Sequence, residues 1–284
     1  MDIEKVETIL GRKVLSDLSE AEYKGKSDEK LLITGAGGSI GQELIKRLHN
    51  SGFKNFLPTD VDGDFENLDV TNENEVKNLL ETYSPTKVIN LAGAKHAPEG
   101  ELTSWNTLNI NTIGTLNLIN NLPKNSKILL TSTCKSANPE VVYGASKLIA
   151  ERMVLNSGGS VSRFFNVVET SGNVFTIWDE VNENLPIDLA PTCERYFISI
   201  QEAVGLLIFT LNNEPGRFLV NTVNITNMGD LANRLYPDRE KNIIEPRRGD
   251  RLSEKFISTS ESVEKYYLNN SVVKVKSIHD YKKI

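Results

Sequence analysis

The chain has 284 residues, of which 39% are hydrophobic and 25% are charged, with a formal net charge of −6 at pH 7. This composition is typical of a globular protein that buries a substantial core, and the acidic balance without a basic run argues against nucleic-acid binding. No apolar stretch is long enough to span a membrane, so we expect no membrane span. Two cysteines make no disulfide framework and the N-terminal residues lack a signal-peptide layout, so we expect a cytoplasmic protein.

The first 27 residues are polar and are predicted to form an N-terminal arm. Residues 31–41 then read LLITGAGGSIG, followed by the amphipathic stretch QELIKRLHNSG. This order predicts a buried strand, a tight turn and a helix whose N-terminus binds a pyrophosphate. The first glycine allows the turn, the second lets the backbone approach the phosphates, and the third lets the helix pack closely on the strand. The dinucleotide-binding residues predicted here are Gly35, Gly38, Ser39, Ile40 and Gly41.

Strand and helix patterns alternate beyond this turn. Predicted strands lie at 54–60, 87–93, 127–133 and 161–167, and predicted helices lie at 72–83, 106–122 and 143–157. The alternation predicts an α/β fold with a Rossmann-like, doubly wound parallel sheet, and an NAD(P)-binding domain over residues 28–166. Residues 167–284 are more irregular and are expected to form mainly a smaller C-terminal substrate lobe, with room for some segments to return to the core.

Acidic residues follow the second predicted strand. Asp60, with Asp62 close by, lies roughly 20 residues beyond the glycine turn, where a carboxylate can bind the adenosine ribose. The alternative is an acidic surface loop. No Arg or Lys follows closely to pair with a 2′-phosphate, which favours NAD over NADP. Asp69 and Val70 are expected at the adenine, although Asp69 could instead cap the next helix.

Thr133, Tyr143 and Lys147 form a second group of candidate residues. The i, i+4 spacing places Tyr143 and Lys147 on one helix face, where the lysine is expected to lower the pKa of the tyrosine. With the glycine turn and a strand that ends in Ser132-Thr133, this pattern resembles the short-chain dehydrogenase/reductase superfamily. The segment NLAGA at 90–94 is similar to that superfamily's cofactor-contacting segment. The resemblance implies cofactor contacts from Ala92, Gly93, Ala94, Asn111, Tyr143 and Lys147.

Several longer segments narrow the resemblance. AGAKHAPEGE at 92–101, STCKSANPEVVYGASK at 132–147, RFFNVVETSGNV at 163–174 and RRGDRLSEKF at 247–256 are similar to the nucleotide-sugar 4,6-dehydratases of polysaccharide biosynthesis. This family implies a UDP-N-acetylhexosamine substrate, an NAD or NADP cofactor and a homo-oligomer. The substrate-binding candidates implied by position are Lys95, His96, Asn166, Ser171, Asn173, Val174, Arg195 and Arg248.

Thr133-Cys134-Lys135 departs from the family pattern, because dehydratases carry Thr-Asp-Lys there. The resemblance implies oxidation at C4 of the sugar, removal of the C5 proton by the lysine, and protonation of the departing C6 hydroxyl by the aspartic acid. The hydride then returns to C6. Lys135 and Tyr143 are present, but a thiol replaces the acid. Cys134 is therefore either a weak proton donor or a small buried group.

The passage DVDGDFENLDVTN departs from the family as well, because family members have a long insertion there. The compact passage resembles the NDP-4-keto-sugar reductases. We expect a 4,6-dehydratase, with or without C5 epimerisation, and keep a 4-keto-sugar reductase or C4 epimerase as the alternative. A non-catalytic dinucleotide sensor is a third possibility. No metal site is predicted.

Overall fold

The computed structural model describes residues 1–95, 97–221 and 223–280. The helices in chain order are α1 (Ile3–Leu10), α2 (Ser16–Ser19), α3 (Ser39–Asn50), α4 (Glu73–Tyr83), α5 (Ala97–Leu102), α6 (Ser104–Leu108), α7 (Gly114–Asn120), α8 (Val142–Asn156), α9 (Val174–Glu180), α10 (Ile200–Leu211) and α11 (Met228–Leu235). The strands are β1 (Leu31–Thr34), β2 (Phe56–Asp60), β3 (Glu66–Asn67), β4 (Lys87–Asn90), β5 (Lys127–Thr133), β6 (Ser160–Phe164), β7 (Asn166–Val167), β8 (Ile187–Leu189), β9 (Glu194–Ile198), β10 (Arg217–Val220), β11 (Ile225–Asn227), β12 (Lys241–Ile243), β13 (Glu261–Tyr267) and β14 (Val272–Ser277).

A nine-stranded sheet forms the centre of the fold, in the order β13-β14-β10-β6-β5-β4-β1-β2-β3. The strands from β3 to β10 in this order are parallel, whereas β14 runs antiparallel to both β10 and β13. One face packs against α3 and α10, and the other against α4, α7 and α8. The prediction of a Rossmann-like, doubly wound α/β sheet is therefore confirmed. Within the described residues, no helix has both the length and the apolar character needed to cross a bilayer.

Two predicted elements are interrupted. The predicted helix at 106–122 consists of α6, a π-helical segment at Asn109–Ile113, and α7. The predicted strand at 161–167 divides after Phe164, because β7 leaves the central sheet and pairs with β9. Residues at both interruptions, Asn109 and Ile110 in the first and Asn166 and Val167 in the second, line the cavity at the carboxyl edge of the sheet, where ligands bind in folds of this type.

A second hydrophobic core lies apart from the two cores on the central sheet, and N-terminal residues pack into it. Val6 and Ile9 of α1 are buried with Phe175 and Trp178 of α9. Leu18 of α2 joins the core beneath the central sheet instead. The first 27 residues therefore contact both cores, although most of their surface is polar. Strands β10, β13 and β14 place residues from the second half of the chain in the central sheet.

A buried network of charges anchors α8 to the sheet. Glu151 of α8 accepts hydrogen bonds from Arg163 of β6 at 2.7 Å and from Arg217 of β10 at 2.8 Å. Arg163 also donates to Glu261 of β13 at 2.8 Å. Because buried charges are stable only when they are paired, these contacts define how α8 lies on the sheet. Tyr143 and Lys147 lie on this same helix.

Candidate active site

A cleft of about 1010 Å³ lies at the carboxyl ends of β1, β2, β4, β5 and β6. It brings together residues that the sequence places far apart. The predicted residues that line it are Gly35, Gly38, Ser39, Ile40, Gly41, Asp60, Asp69, Val70, Ala92, Gly93, Ala94, Lys95, Thr133, Lys135, Tyr143, Lys147 and Asn166. A dinucleotide turn and a candidate acid/base group therefore share one cavity.

The glycine turn has the geometry that its three roles require. Gly35 has φ +68°, and a Cβ there would lie 2.6 Å from the backbone nitrogen of Ala92. A Cβ at Gly41 would lie 2.5 Å from the carbonyl oxygen of Ala36, so only glycine allows α3 to pack this closely on β1. Gly38 begins α3 without a side-chain cap among the described residues. The first N–H groups of α3 therefore have no side-chain acceptor from this cap residue, which fits a pyrophosphate.

Asp60 is the last residue of β2, and its carboxylate contacts the glycine turn. Its carboxylate accepts a hydrogen bond from the backbone N–H of Gly37 and one from Val61, both at 2.8 Å. Gly37 was not predicted, although it belongs to the same glycine run. Asp69 accepts from the backbone and the hydroxyl of Thr71, also at 2.8 Å. Phe65 is a further cleft residue, and no sequence pattern pointed to it.

Lys147 is buried beneath the cleft, and its ammonium donates to the carbonyl of Thr131 at 3.1 Å. Burial lowers the pKa of Lys147 to about 8, against a smaller opposing effect of Glu151. Burial also raises the pKa of Tyr143, while the Lys135 charge and the Thr133 hydroxyl act in the opposite direction. Lys147, which was expected to lower the pKa of Tyr143, is not among the main causes of its shift. The cation that opposes the rise in the pKa of Tyr143 is Lys135.

Cys134 was a candidate proton donor, and the structure places it outside the cavity walls. Its side chain is fully buried and lines neither the cleft nor the neighbouring cavity. Burial, helped by the nearby Glu254 carboxylate, raises the pKa of the thiol to about 12. The short 3₁₀ turn that begins at Cys134 directs Lys135 into the cleft instead. This geometry contradicts a direct role for Cys134 and agrees with a small buried group.

Glu254 forms the centre of the contacts around Lys135. The Lys135 ammonium donates to Oε1 of Glu254 at 2.6 Å and to Oδ1 of Asn166 at 3.1 Å. The Asn166 amide donates to Oε2 of Glu254 at 2.7 Å, and Arg195 approaches Oε1 within 3.8 Å. Glu254 lies in the predicted segment RRGDRLSEKF, but no local pattern distinguishes it from the acidic residues of a surface turn.

Asn111 was expected to contact the cofactor, and the structure contradicts this. It is fully buried in the π-helical segment and does not line the cleft. Its side-chain oxygen accepts from the backbone N–H of Ala94 at 2.9 Å, and its amide donates to the Ala94 carbonyl and the Ser146 hydroxyl. Asn111 therefore supports the loop that lines the cleft, because both of its polar atoms are engaged inside the protein.

A second cavity of about 660 Å³ adjoins the cleft and shares Lys95, Lys135 and Asn166 with it. The other predicted substrate residues that line it are Ser171, Asn173, Val174 and Arg195. Arg248 is exposed and lines neither cavity, whereas its neighbour Arg247 lines the second one. The prediction selected the wrong arginine of the pair, since adjacent residues in a turn point in different directions. His96 lies outside the described residues.

Two side chains on the rim connect the cavities. Lys95 donates to the carbonyl and the hydroxyl of Ser171, both at 3.2 Å, and the Ser171 N–H donates to the hydroxyl of Ser39. The Asn173 side chain caps α9 and binds backbone carbonyls of its own loop, so its polar atoms are engaged locally.

Across the described parts of the chain, no group of His, Cys, Asp and Glu is arranged to hold a metal ion.

Comparison with known proteins identifies the family. Residues 64–276 match the family described as "Polysaccharide biosynthesis protein". The chain belongs to this polysaccharide biosynthesis family. The resemblance stated from its sequence segments is therefore confirmed.

Several known proteins are similar to the chain in sequence or in fold. The chain is 31% identical over 267 residues to the probable polysaccharide biosynthesis protein EpsC of Bacillus subtilis, covering 81% of this chain and 44% of EpsC. It is 27% identical over 283 residues to a UDP-N-acetylglucosamine 4,6-dehydratase (inverting) of Campylobacter jejuni, covering 87% of this chain and 82% of that protein. The crystal structure of Thermus thermophilus UDP-glucose 4-epimerase in complex with NAD superposes with a TM-score of 0.70 at 18% identity, covering 81% and 90% of the two chains. The chain thus spans less than half of the length of EpsC.

Proposed function

We propose that the chain is an NAD(P)-dependent enzyme that exchanges hydride at C4 of a nucleotide-activated hexose, as a 4-keto-sugar reductase or a C4 epimerase. One observation carries this proposal. Thr133, Lys135 and Tyr143 line the same cleft as the glycine turn, at its junction with a second cavity. The relatives named as a sugar dehydratase and a sugar epimerase support this reaction class.

The glycine turn fits a dinucleotide, because its close approaches leave no room for side chains and the N-terminus of α3 supplies free N–H groups. NAD(P) supplies the hydride acceptor and donor when it is bound. The residues that would hold it are the glycine turn, Asp60, the loop Ala92–Ala94 and Lys147. Among the residues that the structure describes, the cations that line the cleft are Lys95, Lys135 and Lys147. They follow β4 and β5 or lie on α8, so within these residues no cation of the cleft wall accompanies Asp60 at the adenosine end. This supports NAD rather than NADP.

Tyr143 is assigned the proton exchange with the C4 hydroxyl. Thr133 orients that hydroxyl, and Lys135 supplies the positive charge that favours the phenolate. Lys147 lies at the bottom of the cleft, where its ammonium donates to the carbonyl of Thr131, and we assign it a contact with the cofactor ribose. A general base works best when its pKa lies near the working pH, and the Lys135 charge opposes the rise that burial causes in the pKa of Tyr143.

The second cavity is assigned to the nucleotide half of the substrate. Arg195, Arg247 and Lys95 line it together and supply positive charge for a diphosphate. Phe175 and Trp178 line its apolar wall. A UDP-N-acetylhexosamine is the substrate we propose, since the Campylobacter relative is named for one.

A 4,6-dehydratase is the second candidate, favoured by the name of that relative and by Lys135 at the position of the family base. Elimination also needs an acid at the C6 hydroxyl. Cys134 stands at the position of that acid, but its thiol is buried outside both cavities and has a raised pKa. The geometry therefore supports C4 hydride exchange better than elimination. A homo-oligomer stays a prediction from the resemblance.

Incubation with UDP-N-acetylglucosamine and NAD⁺ or NADP⁺, followed by mass and stereochemical analysis of products, tests the proposal. An unchanged mass with inverted C4 means epimerase, and NADH or NADPH oxidation with a 4-keto sugar means reductase. Loss of one water would establish the dehydratase instead. Tyr143→Phe should abolish turnover while NAD binding persists. Tight NAD binding without turnover on any of these substrates would favour a sensor.

A further inference from the structure

Glu254 is a buried carboxylate surrounded by donors. It is 2% exposed, and it accepts from Lys135 at 2.6 Å, from the Asn166 amide at 2.7 Å and from the backbone N–H of Tyr196 at 3.4 Å. Arg195 lies within 3.8 Å. A buried carboxylate with this set of partners is stable only in its ionised form. Glu254 lines neither cavity, so it acts on a ligand only through its neighbours.

Lys135 is the partner that reaches the ligand space. It lines both cavities, and its ammonium carries three N–H donors. Two of them are engaged by Glu254 and Asn166. Within the described parts of the chain these are the hydrogen bonds of the ammonium, so one N–H remains for a group at the junction of the two cavities, and its direction is constrained by the other two.

We propose that Glu254 is a positioning residue that holds Lys135 as a charged ammonium and directs its third donor into the cavity junction, so that Lys135 acts there as a hydrogen-bond donor and not as a base. The role of Lys135 in catalysis rests on the proposed function, whereas the charge and direction of its ammonium do not. An ammonium paired in this way has no lone pair with which to take a carbon-bound proton. The same charge stabilises the phenolate of Tyr143, as C4 hydride exchange requires.

The charged and titratable groups around Lys135 act on its pKa in both directions. Glu254 pairs with Lys135 directly, while Arg195, which approaches the same carboxylate oxygen within 3.8 Å, opposes the protonation of Lys135. Cys134 and Tyr143 are the remaining titratable neighbours. Burial by itself would lower the pKa of Lys135, but the charge and hydrogen bond of Glu254, together with Cys134, outweigh burial and raise it.

The test is a direct titration of Lys135 in the ligand-free protein. With ¹⁵N-labelled lysine, the Nζ resonance of Lys135 is assigned by its loss in Lys135→Arg and followed against pH. We expect the wild-type ammonium to persist above the ordinary lysine range, and Glu254→Gln to lower the midpoint by about one pH unit or more. Glu245→Gln, an exposed change in the preceding loop, is the matched control and should leave the midpoint unchanged.

An unchanged Lys135 midpoint in folded Glu254→Gln would overturn the proposal. If that variant does not fold, Glu254→Asp replaces it, because the shorter side chain keeps the charge and lengthens the contact. A smaller downward shift of the midpoint is then expected, and no shift overturns the proposal.

A pH profile of turnover provides the second readout. If C4 exchange is observed, Glu254→Asp should move the alkaline limb of kcat to lower pH, whereas a purely structural loss would scale kcat equally at every pH. Absence of C4 exchange in the wild type would contradict the proposed function and leave the Lys135 titration to decide this inference alone. A failure of the proposed function can therefore be distinguished from a failure of this inference.

Discussion

Oε2 of Glu151 lies 2.8 Å from Nε of Arg217, and both side chains are completely buried although 66 positions separate them in the chain. This contact joins the helix that carries Tyr143 to a strand from the second half of the chain. Arg163 shares the same carboxylate. The orientation of the candidate acid/base helix thus depends on residues well outside the nucleotide-binding motif.

Glu151→Gln should lower the free energy of unfolding by about 3–5 kcal/mol, because it leaves Arg163 and Arg217 buried without their shared charge. Urea unfolding at pH 7 measures this. Glu81→Gln, which removes only an exposed 4.0 Å contact with Lys77, is the control and should cost less than about 0.5 kcal/mol. Equal effects of the two variants would contradict the role of the network.

Glu151 also predicts an acid limit of stability. Burial alone would raise its pKa, but Arg163 and Arg217 outweigh burial and lower it to about 2. Because the folded pKa lies below the unfolded one, the contribution is complete above about pH 4.5 and is lost as the pH falls towards 2. Unfolding free energies measured from pH 6 to pH 3 should decline less steeply in Glu151→Gln than in the wild type. Parallel curves would refute the assignment.

Lys147 predicts a rise of stability with pH in the alkaline range. Its folded pKa of about 8 lies below the unfolded value, so the unfolded chain binds more protons between about pH 8 and pH 10.4. Stability should rise with pH across this window, by at most about 3 kcal/mol. Lys147→Met should remove this rise in urea titrations, while Lys127→Met at the exposed start of β5 should retain it. A rise that persists in Lys147→Met would show that another group causes it.

Gly35→Ala separates backbone strain from crowding in the dinucleotide turn. Gly35 and Gly52 both have positive φ, but a Cβ has open space at Gly52 and meets the Ala92 backbone at 2.6 Å at Gly35. Gly52→Ala should cost only the strain, about 1 kcal/mol. Gly35→Ala should cost more and weaken NAD binding at least about tenfold, because the turn must move away from β4. Calorimetric titration with NAD compares the variants, and equal affinities would argue against a role in binding.

Asp60→Ala tests the proposed cofactor preference. Loss of the carboxylate removes the group we assign to the adenosine ribose and the acceptor for the Gly37 N–H. Affinity for NAD should fall about tenfold or more, while affinity for NADP should change less, since a like charge near its 2′-phosphate is removed. Fluorescence titrations with NADH and NADPH measure both. Asp64→Ala, in the adjoining acidic loop, is the control. A wild type that prefers NADPH would contradict the assignment.

The sequence by itself determined the elements whose cause is local. The apolar run and spaced glycines at 31–41 encode a strand, a turn and a helix through backbone sterics, which need no distant partner. Alternating strands and helices determined the parallel sheet, and therefore the edge at which Asp60, Thr133 and Tyr143 meet. These predictions depend on short-range geometry, which one segment of chain expresses alone.

Only the tertiary structure decided how the side chains at that edge are used. Cys134 and Lys135 are neighbours in sequence, yet the 3₁₀ turn buries the first and directs the second into the cleft. Glu254 comes to Lys135 from 119 positions away, and Asn111 is turned inward to hold a loop. Burial and pairing of polar groups depend on every element packed around them, so no pattern within one segment can specify them.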